Sequence, residues 1–353
     1  MSRRYLFFCA HGYAFDILRP LGDEIARRGD SVAWYLDEGC PDMLAEGDRR
    51  LHTVAEVKAY NPLAVFAPGN YVFDFFPGVK VCVKHGYAIN KRGYNHDTHF
   101  KLRGWFDIML TFGPESTGPF KALADRLGYF TTYETGWPKA DSLIAARRRA
   151  ESIRRERPAV FVASTFTKSI TRLKELYPTI ERLASTRDWD WHITRHPKLD
   201  DPEVDRLYSE LAARRPNVTY YPATPGPDVM AATDVMLCDA SSIILEYMLL
   251  DKPVVTFHNT TPGPHLIDVT DTADIESAID HALSRPDSLM QAMRAYRDRQ
   301  EAHTDGRNSA RILDAVDDFI ANRRAHLKPK PLNLFRRLQL RYRIFLKPLL
   351  KRK

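Results

Sequence analysis

Short apolar runs that alternate with amphipathic stretches constrain the fold of this chain more than any other feature. Tyr5–Ala10, Ser31–Leu36, Leu63–Ala67 and Val79–Val83 are each five or six mostly apolar residues. Between the first two, Leu18, Leu21 and Ile25 recur at helical spacing. Runs of that length, bounded by helices, are the strands of a parallel sheet, because a parallel crossover needs a helix to return the chain. A further strand is expected at Ile108–Phe112 and a helix at Pro119–Leu127. Residues 144–157 are charged and end at Pro158, and the rhythm then restarts. Strands are expected at Val160–Ala163, Trp191–Thr194, Val218–Tyr221, Val235–Cys238 and Val254–Phe257, with helices at Arg172–Ser185, Glu203–Ala213 and Ser242–Leu250. Two successive open α/β halves predict two Rossmann-type domains facing a cleft. The expected boundaries are 1–145 for an N-terminal, acceptor-side domain, 146–327 for a C-terminal, nucleotide-donor domain, and 328–353 for a basic tail.

With 353 residues, 44% hydrophobic and 27% charged, each half is large enough to bury its own core. Cys9, Cys40, Cys82 and Cys238 show no close pairing, which argues against a zinc site or a disulfide framework. That usage fits a reducing, cytoplasmic compartment. No run reaches the roughly 18 to 20 apolar residues of a membrane span. The net charge is +7, yet residues 328–353 carry ten Lys and Arg and no acid, which leaves −3 for residues 1–327. A nucleic-acid surface would need positive charge on the body, so nucleic acid is not an expected partner.

Chemistry-bearing residues gather where the expected strands end, and open α/β sheets bind ligands at those ends. The segment TDVMLCDASSIILEYMLLDKPVVTF runs a strand into a turn holding Ser241 and Ser242 and then into a helix. Free N–H groups at a helix start attract phosphate, whereas the structural alternative is simple N-capping by either serine. Glu246, four residues on, is placed to accept from ribose hydroxyls. KHGYAINKRG follows Val79–Val83 and offers His85 as a general base, Gly86 for close approach, and Lys91 and Arg92 for phosphate. HITRHP presents Arg195 and His196 at another strand end, where Arg forks onto phosphate and His donates to it. Thr165 follows Val160–Ala163, and DGRNSAR places Gly306 and Arg307 before a possible helix start. No G-x-G-x-x-G, P-loop or G-x-S-x-G occurs, which disfavours NAD enzymes, P-loop kinases and serine hydrolases. No metal-ligand cluster and no bound cofactor is expected.

Taken in order, KHGYAINKRG, GWPKADSL (Gly136–Leu143), VASTF (Val162–Phe166), RHP (Arg195–Pro197), DASSIILEYMLLDKP and Asp305–Arg311 resemble the CDP-glycerol glycerophosphotransferase family, the teichoic-acid primase and polymerase group. Lys84 stands where that family usually has Trp, and Ala240 where it has Tyr. The resemblance implies a GT-B-like fold and transfer of an alditol phosphate from a CDP-linked donor to a hydroxyl of a cell-surface glycan or lipid-linked acceptor. CMP would leave, with His85 as base by analogy. Arg195, His196, Ser241 and Ser242 would hold the pyrophosphate, a task that is mainly electrostatic. Two other enzymes fit the same pattern, a GT-B glycosyltransferase using a nucleotide sugar and a UDP-sugar 2-epimerase. Outside enzymes, an inactive membrane-bound scaffold fits it.

Leu334, Phe335, Leu338, Tyr342, Phe345, Leu346 and Leu349 make an apolar stripe at helical spacing, with Arg336, Arg337, Arg343 and Lys347 beside it. Such a basic amphipathic helix predicts an anchor on an anionic membrane, and hence a peripheral enzyme at the inner face of the cell membrane. The alternative is a helix docked on the first domain. On the anchor reading, a chain cut after Leu327 is expected to stay folded.

Overall fold

The computed structural model describes residues 2–87, 100, 102–153 and 155–347. Among these, the chain forms two compact units. The first takes residues 2–86, 100, 102–141 and 301–347, and the second holds Tyr87 and residues 142–153 and 155–300.

The first unit runs β1 (Arg4–Cys9), α1 (Tyr13–Arg27), β2 (Ser31–Leu36), α2 (Val54–Tyr60), β3 (Ala64–Ala67), β4 (Val79–Cys82), β5 (Ile108–Thr111), α3 (Pro114–Leu127) and β6 (Thr131–Glu134). α4 (Pro138–Ala150) carries the chain into the second unit. There follow β7 (Ala159–Ala163), α5 (Leu173–Thr186), β8 (Asp190–Thr194), α6 (Pro202–Arg214), β9 (Val218–Tyr221), α7 (Pro227–Ala231), β10 (Val235–Cys238) and α8 (Ile243–Met248). β11 (Val254–Phe257), β12 (Ile267–Val269), α9 (Ile275–Leu283) and α10 (Asp287–Gln300) complete that unit. Back in the first unit come α11 (Asn308–Asp318) and α12 (Leu334–Arg341).

Each unit has a six-stranded sheet whose pairings are parallel, in the orders β2-β1-β3-β4-β5-β6 and β12-β11-β10-β7-β8-β9. The expected α/β class with two Rossmann-type sheets is therefore what the chain adopts. β1, β3, β4, β5, β7 and β10 are buried throughout, apart from the first residue of β1, which explains why they read as continuous apolar runs. β6 (TTYE) and β12 (IDV) are half-buried edge strands without such runs, and the apolar pattern did not reveal them. The chain order reverses between β1 and β3 in the first sheet and between β7 and β10 in the second. Crevices at the carboxyl ends of strands on either side of such a reversal are the ligand sites of open α/β sheets.

Two expected boundaries are corrected. The stretch 301–327, assigned by sequence to the second domain, belongs to the first unit. Glu301 accepts from the Trp137 N–H at 3.1 Å, and Asp141 accepts from the Asn308 and Ser309 N–H groups at 2.9 and 2.8 Å. Gly136 (φ 77°) makes this closure possible, since a Cβ there would stand 2.3 Å from Glu301 Oε1 and 2.4 Å from Asn308 Cγ. These contacts cross more than 160 positions, which no local pattern reports.

The tail is not separate from the body either. Arg341 binds Asp74 at 2.9 Å, Arg343 binds Asp37 at 2.8 Å and Lys330 binds Asp107 at 2.7 Å. Leu340 and Ile344 pack against the core that holds Phe8, Tyr35, Phe73 and Phe76, and the Phe345 ring lies 5.3 Å from that of Phe75. The −3 of residues 1–327 is an average, and it hides carboxylates placed where the tail's cations meet them. Yet Leu334, Phe335, Leu338 and Tyr342 remain 50–81% exposed. The helix docks through one face and presents the apolar stripe on another, so docking and an outward apolar surface coexist. Leu349, Pro348 and the last three basic residues lie outside the described residues.

Candidate functional site

In the second unit, the residues singled out by sequence converge on the β7/β10 reversal. Asp239, at the end of β10, is buried and organises the turn. Its carboxylate accepts from the Ser164 hydroxyl and, at 2.9 Å, from the Thr165 N–H, while its carbonyl accepts from Asn259 Nδ2 at 3.0 Å. Burial pushes the Asp239 pKa up, and these bonds to the charged form oppose that shift. Asp239 thus ties the loops after β7, β10 and β11 together, the first through its carboxylate and the last through its carbonyl. Ser242 caps α8 by position only, with no side-chain capping bond. The Thr165, Ser241 and Ser242 hydroxyls have no hydrogen-bond partner among the described residues. Neither serine hydroxyl caps α8 by a hydrogen bond.

Beside Ser241 lies a pocket lined by Ala240, Ser241, Asn259, Thr261, His265 and Tyr296 among others. The His265 and Tyr296 rings stack with centroids 3.8 Å apart and planes at 12°. Burial lowers the His265 pKa, which favours the neutral ring. Asn259, His265 and Tyr296 were not foreseen. They sit on loops and a helix far along the chain, and only the fold gathers them.

Arg195 departs from its expected role. Its Nε donates to Asp205 at 2.6 Å and its Nη1 to the Leu199 carbonyl at 2.9 Å. These bonds engage Nε and Nη1 of the guanidinium. The geometry makes Arg195 the brace of the β8–α6 loop. His196, next to it, accepts at Nδ1 from the Lys198 N–H at 3.0 Å, which places the neutral ring's proton on Nε2 as a donor. Arg195→Ala and Asp205→Ala are therefore expected to weaken donor affinity to the same degree, within about threefold, and the double mutant no further, since one brace is lost in each case. If Asp205→Ala leaves affinity unchanged while Arg195→Ala lowers it, Arg195 touches the donor directly.

In the first unit, His85 follows β4 and is exposed. Its ring lies 5.3 Å from that of Tyr13, which lies 5.3 Å from that of His11. Burial raises the Tyr13 pKa to about 12, so the phenol stays protonated at neutral pH. The row spans the carboxyl ends of β1 and β4. His11 and Tyr13 were missed, although His11-Gly12 after β1 repeats the His85-Gly86 pattern after β4. That repeat was the available signal.

Gly306 and Arg307 do not form a phosphate site as expected. α11 begins at Asn308, and the Asp141 carboxylate already takes the first two N–H groups of that helix. An anion is supplied by the chain itself, and both residues fall in the first unit. Glu246 is half-buried on α8. Lys91 lies outside the described residues, as does Arg92. Among the described residues no cluster of three or more metal-ligating side chains occurs, and no helix is long and apolar enough to cross a membrane.

Residues 120–261 match the profile of a family described as CDP-Glycerol:Poly(glycerophosphate) glycerophosphotransferase. No curated protein matches the chain in sequence. Among solved structures, the wall teichoic acid polymerase TagF aligns with 91% of this chain and 89% of its own, at 12% identity and TM-score 0.63. The UDP-GlcNAc 2-epimerase from Neisseria meningitidis, bound to UDP-GlcNAc, aligns with 90% of this chain and 100% of its own, at 13% identity and TM-score 0.62. The S. aureus MnaA–UDP complex covers 94% and 99%, at 12% identity and TM-score 0.59. At such identities these likenesses establish the GT-B fold and nothing finer.

Proposed function

We infer, from the match of residues 120–261 to the CDP-glycerol:poly(glycerophosphate) glycerophosphotransferase family, a transferase that moves an alditol phosphate from a CDP-linked donor to a hydroxyl of a cell-surface glycan or lipid-linked acceptor. The fold is shared with 2-epimerases and does not choose between them. The choice rests on the family match over the second unit's nucleotide-side motifs, supported by hydroxyl donors at the β7/β10 reversal. The acceptor oxygen attacks the donor's β-phosphorus, the bond from that phosphorus to the bridging oxygen breaks, and CMP leaves. His85 takes the acceptor's proton. Thr165, Ser241, Ser242 and the Nε2–H of His196 bind the diphosphate and stabilise charge that builds on it. Glu246 receives the ribose hydroxyls, and the pocket at His265 and Tyr296 takes the nucleoside. Such positioned donors in a partly dry site contribute most of the rate in phosphoryl transfer.

Thermal stabilisation by a panel of CDP- and UDP-linked compounds, followed by assay of CMP release, tests this reading. A bound donor at 100 times its dissociation constant adds about 2.7 kcal/mol of stability. Stabilisation by CDP-glycerol or another CDP-alditol is expected, and stabilisation by UDP-sugars alone favours the epimerase or glycosyltransferase alternatives.

We propose that the outward stripe of the tail helix rests on an anionic membrane surface, at the inner face where such a lipid-linked acceptor is reached; the exposure of its apolar residues supports this. Its apolar residues are the contact, since Arg337, Arg341, Arg343 and Lys330 are already paired with the body. Burying each Leu or Phe side chain contributes about 1.5 to 3 kcal/mol. Leu334→Ser, Phe335→Ser and Leu338→Ser combined are expected to lower vesicle affinity by at least about a hundredfold. The melting temperature should stay the same, because none of the three is buried in the fold. Unchanged binding to vesicles containing anionic lipid removes the membrane assignment.

A further inference from the structure

One residue before His85, the first unit holds a pocket that the transfer chemistry leaves without a task. Asn70, Cys82, Lys84, Arg103, Trp105 and Tyr129 are among its lining residues. Lys84 is only 8% exposed and adopts a left-handed backbone, φ 61°. Its ammonium lies over the Phe120 ring, 4.4 Å from the centroid. No carboxylate, carbonyl or hydroxyl among the described residues pairs with it. A buried ammonium without an anionic partner and a left-handed lysine backbone both cost stability, and features of this kind cluster where a ligand offsets them. Burial also lowers the Lys84 pKa, a shift that the neighbouring Cys82 thiol opposes.

We propose that this pocket receives an anionic oxygen group of the acceptor, a phosphate or a carboxylate, which the Lys84 ammonium holds while Asn70 and Arg103 line its approach. The inference rests on the transferase reading for the acceptor's identity. The aromatic walls fit the carbon skeleton to which such a group is attached, and the pocket lies in the unit that carries His85. One wall is held by the tail, since Asn333 Nδ2 donates to the Arg103 carbonyl at 2.5 Å and Lys330 Nζ to the Trp105 carbonyl at 3.0 Å. Gly104 (φ 69°) lets that wall close, because a Cβ there would stand 2.5 Å from Pro331 Cγ.

The test uses the full chain and its Lys84→Met and Lys84→Arg variants. Glycerol 3-phosphate, glycerate and neutral glycerol are the probes of thermal stabilisation. At least one of the two anions should stabilise the wild type and Lys84→Arg but not Lys84→Met, and the anion that acts identifies the group. Glycerol should treat all three alike. In turnover, Lys84→Met should raise KM for an acceptor bearing that anion about tenfold to a hundredfold, the loss expected for one charged hydrogen bond. KM for the donor, and kcat/KM for a neutral acceptor, should change less than about twofold on the same grounds. Lys84→Met should also melt higher than the wild type. The gap should narrow as pH rises toward 10, because a lysine with a lowered folded pKa binds fewer protons in the native state than in the unfolded one. If Lys84→Met does not fold, Lys84→Gln takes its place. Failure of both anions to stabilise the wild type, or equal stabilisation of the Met variant, overturns the proposal. The probe-binding arm needs no turnover, so an enzyme inactive on every CDP-linked donor would refute the transferase reading and still leave this pocket decided.

Discussion

Replacing His85 by alanine is expected to lower turnover by about 100- to 10,000-fold, the usual loss for a general base, while donor-induced thermal stabilisation stays intact. The separation follows from the assigned tasks. His85 sits after β4 in the first unit, and the groups assigned to the donor diphosphate sit in the second. A base acts on the acceptor's proton, so its loss is felt in the chemical step and not in donor affinity. The structure adds a rival that sequence did not supply. His11 ends the same ring row through Tyr13, so His11→Ala is the necessary companion. Retention of more than about a third of wild-type turnover in His85→Ala is far outside the range for a base. If His11→Ala carries the loss instead, the base is His11 and the row works from its other end.

Cutting the chain after Leu327 is expected to destabilise the first unit strongly, the reverse of what the isolated tail sequence implies. Asp37 is 4% exposed and would keep its bond from the Tyr71 hydroxyl but lose Arg343. Asp74 would lose Arg337 and Arg341 together. The cut also takes Leu340 and Ile344 off the core, and together with pairs whose arginines are 30–40% exposed the loss is about 3 to 5 kcal/mol. For a domain of this size that is a fall of about 6 to 20 °C in melting temperature. Circular dichroism of the truncated chain checks it. A melting temperature within about 2 °C of the full chain would mean the ion pairs are worth what exposed pairs are worth, under about 1 kcal/mol, and the docked helix would then be dispensable. The prediction also separates two functions of the tail. Truncation should harm folding and vesicle binding together, whereas the triple serine substitution on the outward stripe should harm vesicle binding alone.

The sequence by itself determined the fold class and most strands, because parallel strands buried on both faces must be short continuous apolar runs. It also placed Ser241, Ser242, Thr165, His196 and His85 just after strands, because strand ends can be read from where an apolar run stops, and open α/β sheets offer their ligand sites there. What it did not determine depends on contacts between distant positions. Residues 301–327 return to the first unit through Asp141 and Glu301, a closure set by one glycine that has no room for a Cβ. Arg195 reads as a phosphate ligand until Asp205, ten residues on, is seen to hold it. The edge strands β6 and β12 carry half-buried, mixed residues and so lack the apolar signature of the centre. The tail shows the limit most plainly. Its helical stripe and its basic count are sequence properties, but whether a cation faces lipid or an aspartate depends on local charge, which a net total of −3 cannot report. Only the packed structure places Asp37, Asp74 and Asp107 under the tail, and it thereby decides that the helix docks by its cations with Leu340 and Ile344 and leaves Leu334, Phe335, Leu338 and Tyr342 outward.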